Sequence, residues 1–215
     1  NLGSTGLGTN DQPRNYWRAP YSSIAVTADS GRYIFNNLAP FPLLTASEVL
    51  FTKAEAALRK GDKALALSTY KRAIELNFEM LTTQYQSRIP WASLITPASQ
   101  AAYLTNPKVM PADANGLTLS HIMLQKYIAL YGYGFSETWT DMRRFRYIDL
   151  DPATGKKVYA GFTLPTTLNI YNAGKLPYRC RPRYNSEYLY NIPALQKIGA
   201  LASDYHTKEQ WFMQP

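Results

Sequence analysis

The chain has 215 residues, of which 46% are hydrophobic and 18% charged, a balance that indicates a folded globular protein and excludes a disordered one. Its net charge of +8 permits an acidic partner, but the basic residues are scattered and no nucleic-acid-binding motif occurs, so no nucleic-acid partner is expected. The single cysteine, Cys180, excludes an intrachain disulfide. The chain has only two histidines, His121 and His206, which lie far apart and make no zinc spacing with Cys180, so no metal site is predicted.

Residues 1–45 are predicted to be loop-rich, since Gly, Asn, Ser, Thr and Pro are frequent and aromatic residues are interspersed. Aromatic rings in such loops can stack on the apolar face of a sugar, while neighbouring polar groups bind its hydroxyls. The alternative is that each ring simply anchors its loop to the core. The candidate ligand-binding residues, all in loops rich in Pro, Gly or Asn or close to them, are Tyr16, Trp17, Arg18, Tyr21, Trp91 and Tyr103.

A helical hairpin is predicted over residues 46–81. Thr45 or Ser47 can cap its first helix, and Gly61 is a favourable residue just after the end of that helix. Asp62 can then cap the second helix. The facing residues are predicted to be Ala54, Ala57 and Leu58 on the first helix and Ala64, Leu67 and Tyr70 on the second. The pattern resembles a tetratricopeptide-type hairpin, although no fixed-period repeat is present.

Residues 84–116 are mixed, with short helices predicted around 91–94 and 97–104 and a turn at Asn115-Gly116. A pair of amphipathic helices is predicted over residues 117–146, with a tight corner at Gly132 and Gly134. Helical spacing predicts one buried stripe on each helix. The first stripe consists of Leu124, Tyr127, Ile128 and Tyr131, and the second of Trp139, Met142 and Phe145.

Residues 147–215 are predicted to be a second loop-rich region, because Pro, Gly, Asn and Tyr are frequent there and helix signals are few. A turn that could join two short strands is predicted at 151–155, and a short helix is predicted at 193–200. Together these elements predict a mainly α fold of helical hairpins with long irregular loops and few short strands.

No catalytic residue is predicted, because no phosphate-binding glycine loop, no serine-nucleophile motif and no Cys–His pairing is present. Glu137 and Asp141 fall on one helix face beside Arg144, which is more simply an ion-paired exposed surface than the paired carboxylates of a glycosidase. The carboxylates considered for acid–base chemistry are Glu48, Glu55, Glu137, Asp141, Asp149 and Asp151.

Three blocks of the chain together resemble the SusD/RagB family. The first is the hairpin LTASEVLFTKAEAALRKGDKALALSTYKRAIELNFEML, and the second is LQKYIALYGYGFSETWTDMRRF, with its Gly, Trp and Arg-Arg positions. The third is LPYRCRPRYNSEYLYN, followed by Trp211 near the end of the chain. The matching positions of the third block are Arg181, Pro182, Arg183, Tyr184, Glu187 and Asn191. The resemblance covers about residues 43–215.

The resemblance implies a surface lipoprotein of Gram-negative Bacteroidota that captures oligosaccharides or peptides. It also implies that the protein is not an enzyme and needs no cofactor. Such proteins act as a hinged lid on a SusC-like TonB-dependent β-barrel transporter in the outer membrane. Family members are usually longer and carry an N-terminal lipidated cysteine, which this sequence lacks. The chain is therefore expected to be the C-terminal portion of a longer protein, with a lipid anchor outside this sequence.

Two other functions fit parts of the sequence. A tetratricopeptide-type scaffold would bind a protein segment in a helical groove, but it would carry several tandem hairpins where one is visible. A glycan-cleaving enzyme would release new reducing ends from an oligosaccharide, but it would need the paired catalytic carboxylates that the sequence does not offer.

Overall fold

The computed structural model describes residues 33–35, 39–86 and 94–214, and its fold is mainly α, as predicted. The described residues form no β-strand; an isolated antiparallel bridge between Leu150 and Lys157 occupies the position of the predicted short strands. The helices are α1 (Ala46–Arg59), α2 (Lys63–Met80), α3 (Pro97–Thr105), α4 (Leu119–Ala129), α5 (Phe135–Arg144), α6 (Glu187–Tyr190) and α7 (Ile192–Lys197). None of these helices is long and apolar enough to cross a membrane, a finding restricted to the described ranges.

Local capping signals define the α1–α2 hairpin. The Thr45 side chain accepts a hydrogen bond from the Glu48 backbone N–H, so the N-cap of α1 is Thr45. Gly61, with a φ of +83°, donates its N–H to the Leu58 carbonyl, and the Asp62 N–H reaches the Ala57 carbonyl. This is a Schellman motif, which a glycine at the left-handed position favours. The Asp62 carboxylate then caps α2 by accepting from the Leu65 N–H at 3.0 Å.

Small residues allow α1 and α2 to approach closely, as predicted. Ala54, Ala57 and Tyr70 are buried at the contact, and the Ser47 hydroxyl donates to the Ala73 carbonyl across it. The prediction for Ala64 was wrong: Ala64 is exposed, and Ala66 occupies the buried position instead. The reason is that α2 turns its 66, 69, 70, 73 and 74 positions, spaced by three or four residues, towards the core.

Helix α4 packs against this hairpin by a different face from the one predicted. Its Ile122, Met123 and Ala129 side chains are buried in the main core together with Phe51 and Tyr70. The predicted stripe was wrong for Tyr127 and Ile128, which are exposed, whereas Leu124 and Tyr131 are half-buried. The helix is apolar on most of its surface, so sequence periodicity alone does not identify the face that packs.

The corner between α4 and α5 depends on glycine, as predicted. Gly132 has a φ of +95°, and Gly134 begins α5 so close to α4 that an added Cβ would lie 2.7 Å from Leu130 Cδ2. Helix α5 then buries Phe145 at its end and half-buries Trp139 and Met142, so the second predicted stripe does face the interior.

Side-chain hydrogen bonds link the 147–214 region to the helices and join its own segments. Arg143 stacks on the Trp139 ring at 3.9 Å from its centroid and donates to the Tyr178 carbonyl. Arg181 donates to the Ser203 and Ala202 carbonyls at 2.7 and 2.9 Å. At the predicted 151–155 turn, buried Asp151 accepts from the Ala153 N–H and from the Leu119 N–H at the start of α4. These bonds order a segment that has little regular structure.

Candidate functional site

Most of the ligand-binding residues predicted from sequence lie outside the described residues; these are Tyr16, Trp17, Arg18, Tyr21 and Trp91. Tyr103 lies on α3, half-buried between α2 and α4. Its ring meets Phe78 edge-on at 5.4 Å, and its hydroxyl donates to Gln125 Oε1 at 2.8 Å. Burial raises the pKa of this hydroxyl above the usual tyrosine range, so Tyr103 stays a neutral donor to Gln125.

An aromatic cleft of about 470 Å³ opens between α4, α5 and the segment that follows residue 158. Tyr127 stands at its rim with 37% of its surface exposed, while Tyr159 is almost fully buried at its base. Phe162 is fixed from behind by stacking on Tyr147, with ring centroids 5.5 Å apart and planes 25° apart. The lining residues are Leu124, Tyr127, Tyr131, Met142, Tyr159, Gly161, Phe162 and Thr163. The cleft therefore presents flat rings with few charges.

A second cleft of about 400 Å³ adjoins the first at Tyr127, and it is named the polar cleft after the Lys108, His121 and Gln125 side chains in its lining. Leu124 and Tyr127 line both clefts, so the two form one continuous surface across α4. The lining residues of the polar cleft are Tyr70, Lys108, Ser120, His121, Leu124, Gln125, Tyr127 and Ile128. The wall that the two clefts share thus consists of Leu124 and Tyr127 of α4.

A buried ion-pair network fixes α4 and α5 beneath this surface. Lys126, the neighbour of Tyr127, binds Asp141 of α5 at 2.8 Å, and both side chains are about nine-tenths buried. Arg144 pairs with Asp141 and also donates a hydrogen bond of 2.8 Å to each carboxylate oxygen of Glu55 on α1. The pairing of Asp141 with Arg144 was predicted, but its placement on an exposed surface was wrong, because Lys126 and Glu55 enclose it from other helices.

The six carboxylates considered from sequence border neither cleft. Burial acts to raise the pKa of Glu55, but hydrogen bonds and charges from Arg144 and Arg59 outweigh it and lower that pKa. An acid catalyst needs a raised pKa; burial raises the pKa of Glu48, but Glu48 borders neither cleft. Asp149 pairs with Arg146, and Glu137 is exposed. No cluster of His, Cys, Asp and Glu with metal-binding geometry occurs in the described ranges.

Aromatic walls, few charges and carboxylates that border neither cleft describe a binding surface on a helical scaffold. A SusD-like family model described as "starch-binding associating with outer membrane" matches residues 7–169. The chain belongs to this SusD-like family, whose members are starch-binding proteins associated with the outer membrane. The match begins earlier than the resemblance predicted, and it ends before the predicted third block. Comparison with curated proteins and with solved structures gives no match.

Sequence reasoning missed Tyr127, Tyr159 and Phe162 as cleft residues. Tyr127 was assigned to a buried stripe, and the other two lie in a stretch without periodicity. One sequence signal was available: Gln125 and Lys126 interrupt the apolar run of α4, so polar partners must meet the helix on that side. That signal locates the positions on α4 that bind Asp141 through Lys126 and Tyr103 through Gln125.

Proposed function

We propose that this protein captures oligosaccharides at the cell surface, and that the aromatic cleft is where a sugar binds. The observation that carries the proposal is a ring-lined cleft inside the part of the chain that matches a starch-binding family. Pyranose rings have an apolar face that packs on an aromatic side chain, and hydroxyls around the edge that need polar partners.

Each part of the aromatic cleft has a role in this proposal. Tyr127 offers the exposed ring face, and Thr163 offers a hydroxyl that both donates and accepts hydrogen bonds. Phe162 and Tyr159 are already fixed by packing, so binding costs little side-chain entropy. A peptide is the less favoured ligand, since no lining side chain of this cleft could pair with a charged terminus or side chain.

The test is isothermal titration of maltohexaose into the protein and into a Tyr127→Ala variant. We expect the variant to bind about tenfold more weakly, because one stacking ring is lost. Tyr171→Ala is the matched control, because Tyr171 is exposed outside both clefts and its loss should leave affinity unchanged. Binding that is equally strong in all three proteins would remove the aromatic cleft from the proposal. Binding of peptides but not of sugars would overturn the ligand class.

We also propose that the protein serves as the lid of a SusC-like TonB-dependent transporter, lipid-anchored on the extracellular face of the outer membrane. The basis is family membership, and the binding surface on α4 would supply the captured sugar to the barrel. Purification from native membranes in mild detergent should yield a complex with a large β-barrel protein. Recovery of the protein without such a partner would contradict the lid role.

We propose, finally, that the protein binds its glycan without cleaving it. The lowered pKa of Glu55 and the pairing of Asp141 with Lys126 and Arg144 leave neither group suited to protonate a leaving group. Incubation with maltohexaose should release no new reducing ends. Their appearance at a rate proportional to protein concentration would contradict this.

A further inference from the structure

The polar cleft presents hydrogen-bond donors whose direction is fixed by neighbouring groups. The first donor is His121. Its Nδ1 accepts from the Thr118 backbone N–H at 3.2 Å, so the neutral ring must carry its proton on Nε2. Burial lowers the pKa of His121, which keeps the ring neutral at neutral pH and Nε2 a donor.

The second donor is Gln125, which is 9% exposed and lines the cleft. Its Oε1 accepts a hydrogen bond from the Tyr103 hydroxyl, so its side-chain amide N–H groups are the ones available to other acceptors. Among the described residues, no hydrogen bond to that amide nitrogen occurs. An amide donor without a protein acceptor on the lining of a cleft can bind a ligand or water there.

The third donor is the Lys108 ammonium, which makes no ion pair within the described part of the chain. No carboxylate lines the cleft, and the Tyr70 hydroxyl is already committed to the Val109 carbonyl at 2.6 Å. The hydroxyls of Ser120 and Tyr127 can each donate or accept a hydrogen bond. The lining thus combines one positive charge with two oriented neutral donors and has no negative charge.

We propose that the polar cleft is a subsite for the carboxylate of an acidic sugar, positioned so that the adjoining neutral sugar lies in the aromatic cleft. The subsite rests on the proposed glycan-binding function and narrows its ligand class to uronic-acid-containing oligosaccharides. A carboxylate has two oxygens with about four acceptor positions, which suits simultaneous bonds from His121 Nε2 and the Gln125 amide. Lys108 supplies the compensating charge, and Tyr127 is the shared wall between the two sugars.

The test compares maltohexaose with maltohexaose oxidised to carboxylate at C6, by isothermal titration into the same protein. We expect the oxidised sugar to bind about tenfold more tightly, a preference that charge-assisted hydrogen bonds can supply. Lys108→Gln should reduce this preference to nearly none, while Lys53→Gln, which removes an exposed charge outside the cleft, should preserve it. Raised salt should also reduce the preference.

The outcomes separate the two proposals. If maltohexaose binds in a Tyr127-dependent manner but the oxidised sugar binds no more tightly, the carboxylate subsite is overturned and the proposed function stands. If Lys53→Gln lowers the preference as much as Lys108→Gln, the preference reflects overall charge, which also overturns the subsite. If neither sugar binds, both proposals fail.

Discussion

At the residue scale, a group of paired buried charges stabilises the binding surface. Glu55 receives two hydrogen bonds from Arg144 and one from Arg59, and Asp141 receives Lys126 and Arg144. A buried carboxylate is costly without such partners, so these charges are stable only as a group. The consequence is that the position of Lys126, and with it the orientation of α4, depends on residues from three helices.

Glu55→Gln should therefore destabilise the fold by about 2 kcal/mol, since it weakens a buried ion pair whose arginine is partly exposed. Glu75→Gln is the matched control: Glu75 also pairs with basic residues, but on the more exposed side of α2. Its loss should cost less than about 0.5 kcal/mol. Urea denaturation of both variants measures the difference, and equal losses would contradict the role given to Glu55.

The contribution of Glu55 should also depend on pH. Its folded-state pKa lies below the ordinary value of 4.5, so its ionised form stabilises the fold fully above that pH. As the pH falls through the lower folded-state pKa, the carboxylate takes up a proton and the contribution is lost. The stability gap between the native protein and Glu55→Gln should narrow in this range. A gap that stays constant with acidification would show that Glu55 acts through packing instead.

Helix ends and corners determine the arrangement at the element scale, and these were the most predictable features. Thr45, Gly61 and Asp62 form hydrogen bonds with residues that lie within one or two helical turns of them. The local sequence is therefore enough to identify their roles at the helix ends. The end of α5 was less predictable, because Arg146 and Tyr147 both have positive φ values in place of a glycine. Their strained backbone is held by distant contacts, including Arg146 with Glu209.

Gly134→Ala should disturb the α4–α5 corner. The added methyl group would lie 2.7 Å from Leu130 Cδ2 and 2.8 Å from Leu130 Cβ. Because Leu130 Cβ cannot move without the backbone, we expect a loss of about 2 kcal/mol from overpacking. Gly161→Ala is the control, since no atom lies within 4 Å of its added methyl. A thermal or urea midpoint for Gly134→Ala as high as that of the control would contradict a corner that requires glycine.

The whole molecule depends on long-range links between the helical body and the irregular 147–214 region. Arg146 binds Glu209 at 2.7 Å and also donates to the Met213 carbonyl, while Arg143 lies over the Phe212 ring. These residues are far apart in the chain, so no local pattern predicts the links. Arg179 and Arg181 also bind backbone carbonyls of the C-terminal segment.

Arg146→Ala should loosen the C-terminal segment without unfolding the helices. Alanine keeps the unfavourable left-handed backbone but removes the guanidinium, so the change removes the contacts with Glu209 and Met213 together with the local pair to Asp149. Backbone amides in Trp211–Met213 should exchange with deuterium about tenfold faster. Arg183→Ala, at an exposed arginine in the same region, serves as the control and should leave that exchange rate unchanged. Equal protection in both variants would contradict the anchoring role of Arg146.

Sequence and structure agree best where interactions are local and diverge where they are not. The hairpin, the glycine corner and the α3 helix were predictable from caps and breakers. The exposed face of α4 was not predictable, because it depends on two contacts between helices. Lys126 pairs with Asp141, and the Tyr103 hydroxyl donates to Gln125. The ligand-binding residues predicted at 16–21 and at Trp91 stay predictions. They are an alternative to the α4 surface as the place where sugar binds.

A titration of maltohexaose into ¹⁵N-labelled protein, followed by amide chemical shifts, would locate the sugar-binding site directly. We expect saturable shifts that concentrate at residues 124–128 and 161–163, which line the two clefts. Saturable shifts confined to residues 16–21 and 91, with the amides around Tyr127 unchanged, would contradict this prediction.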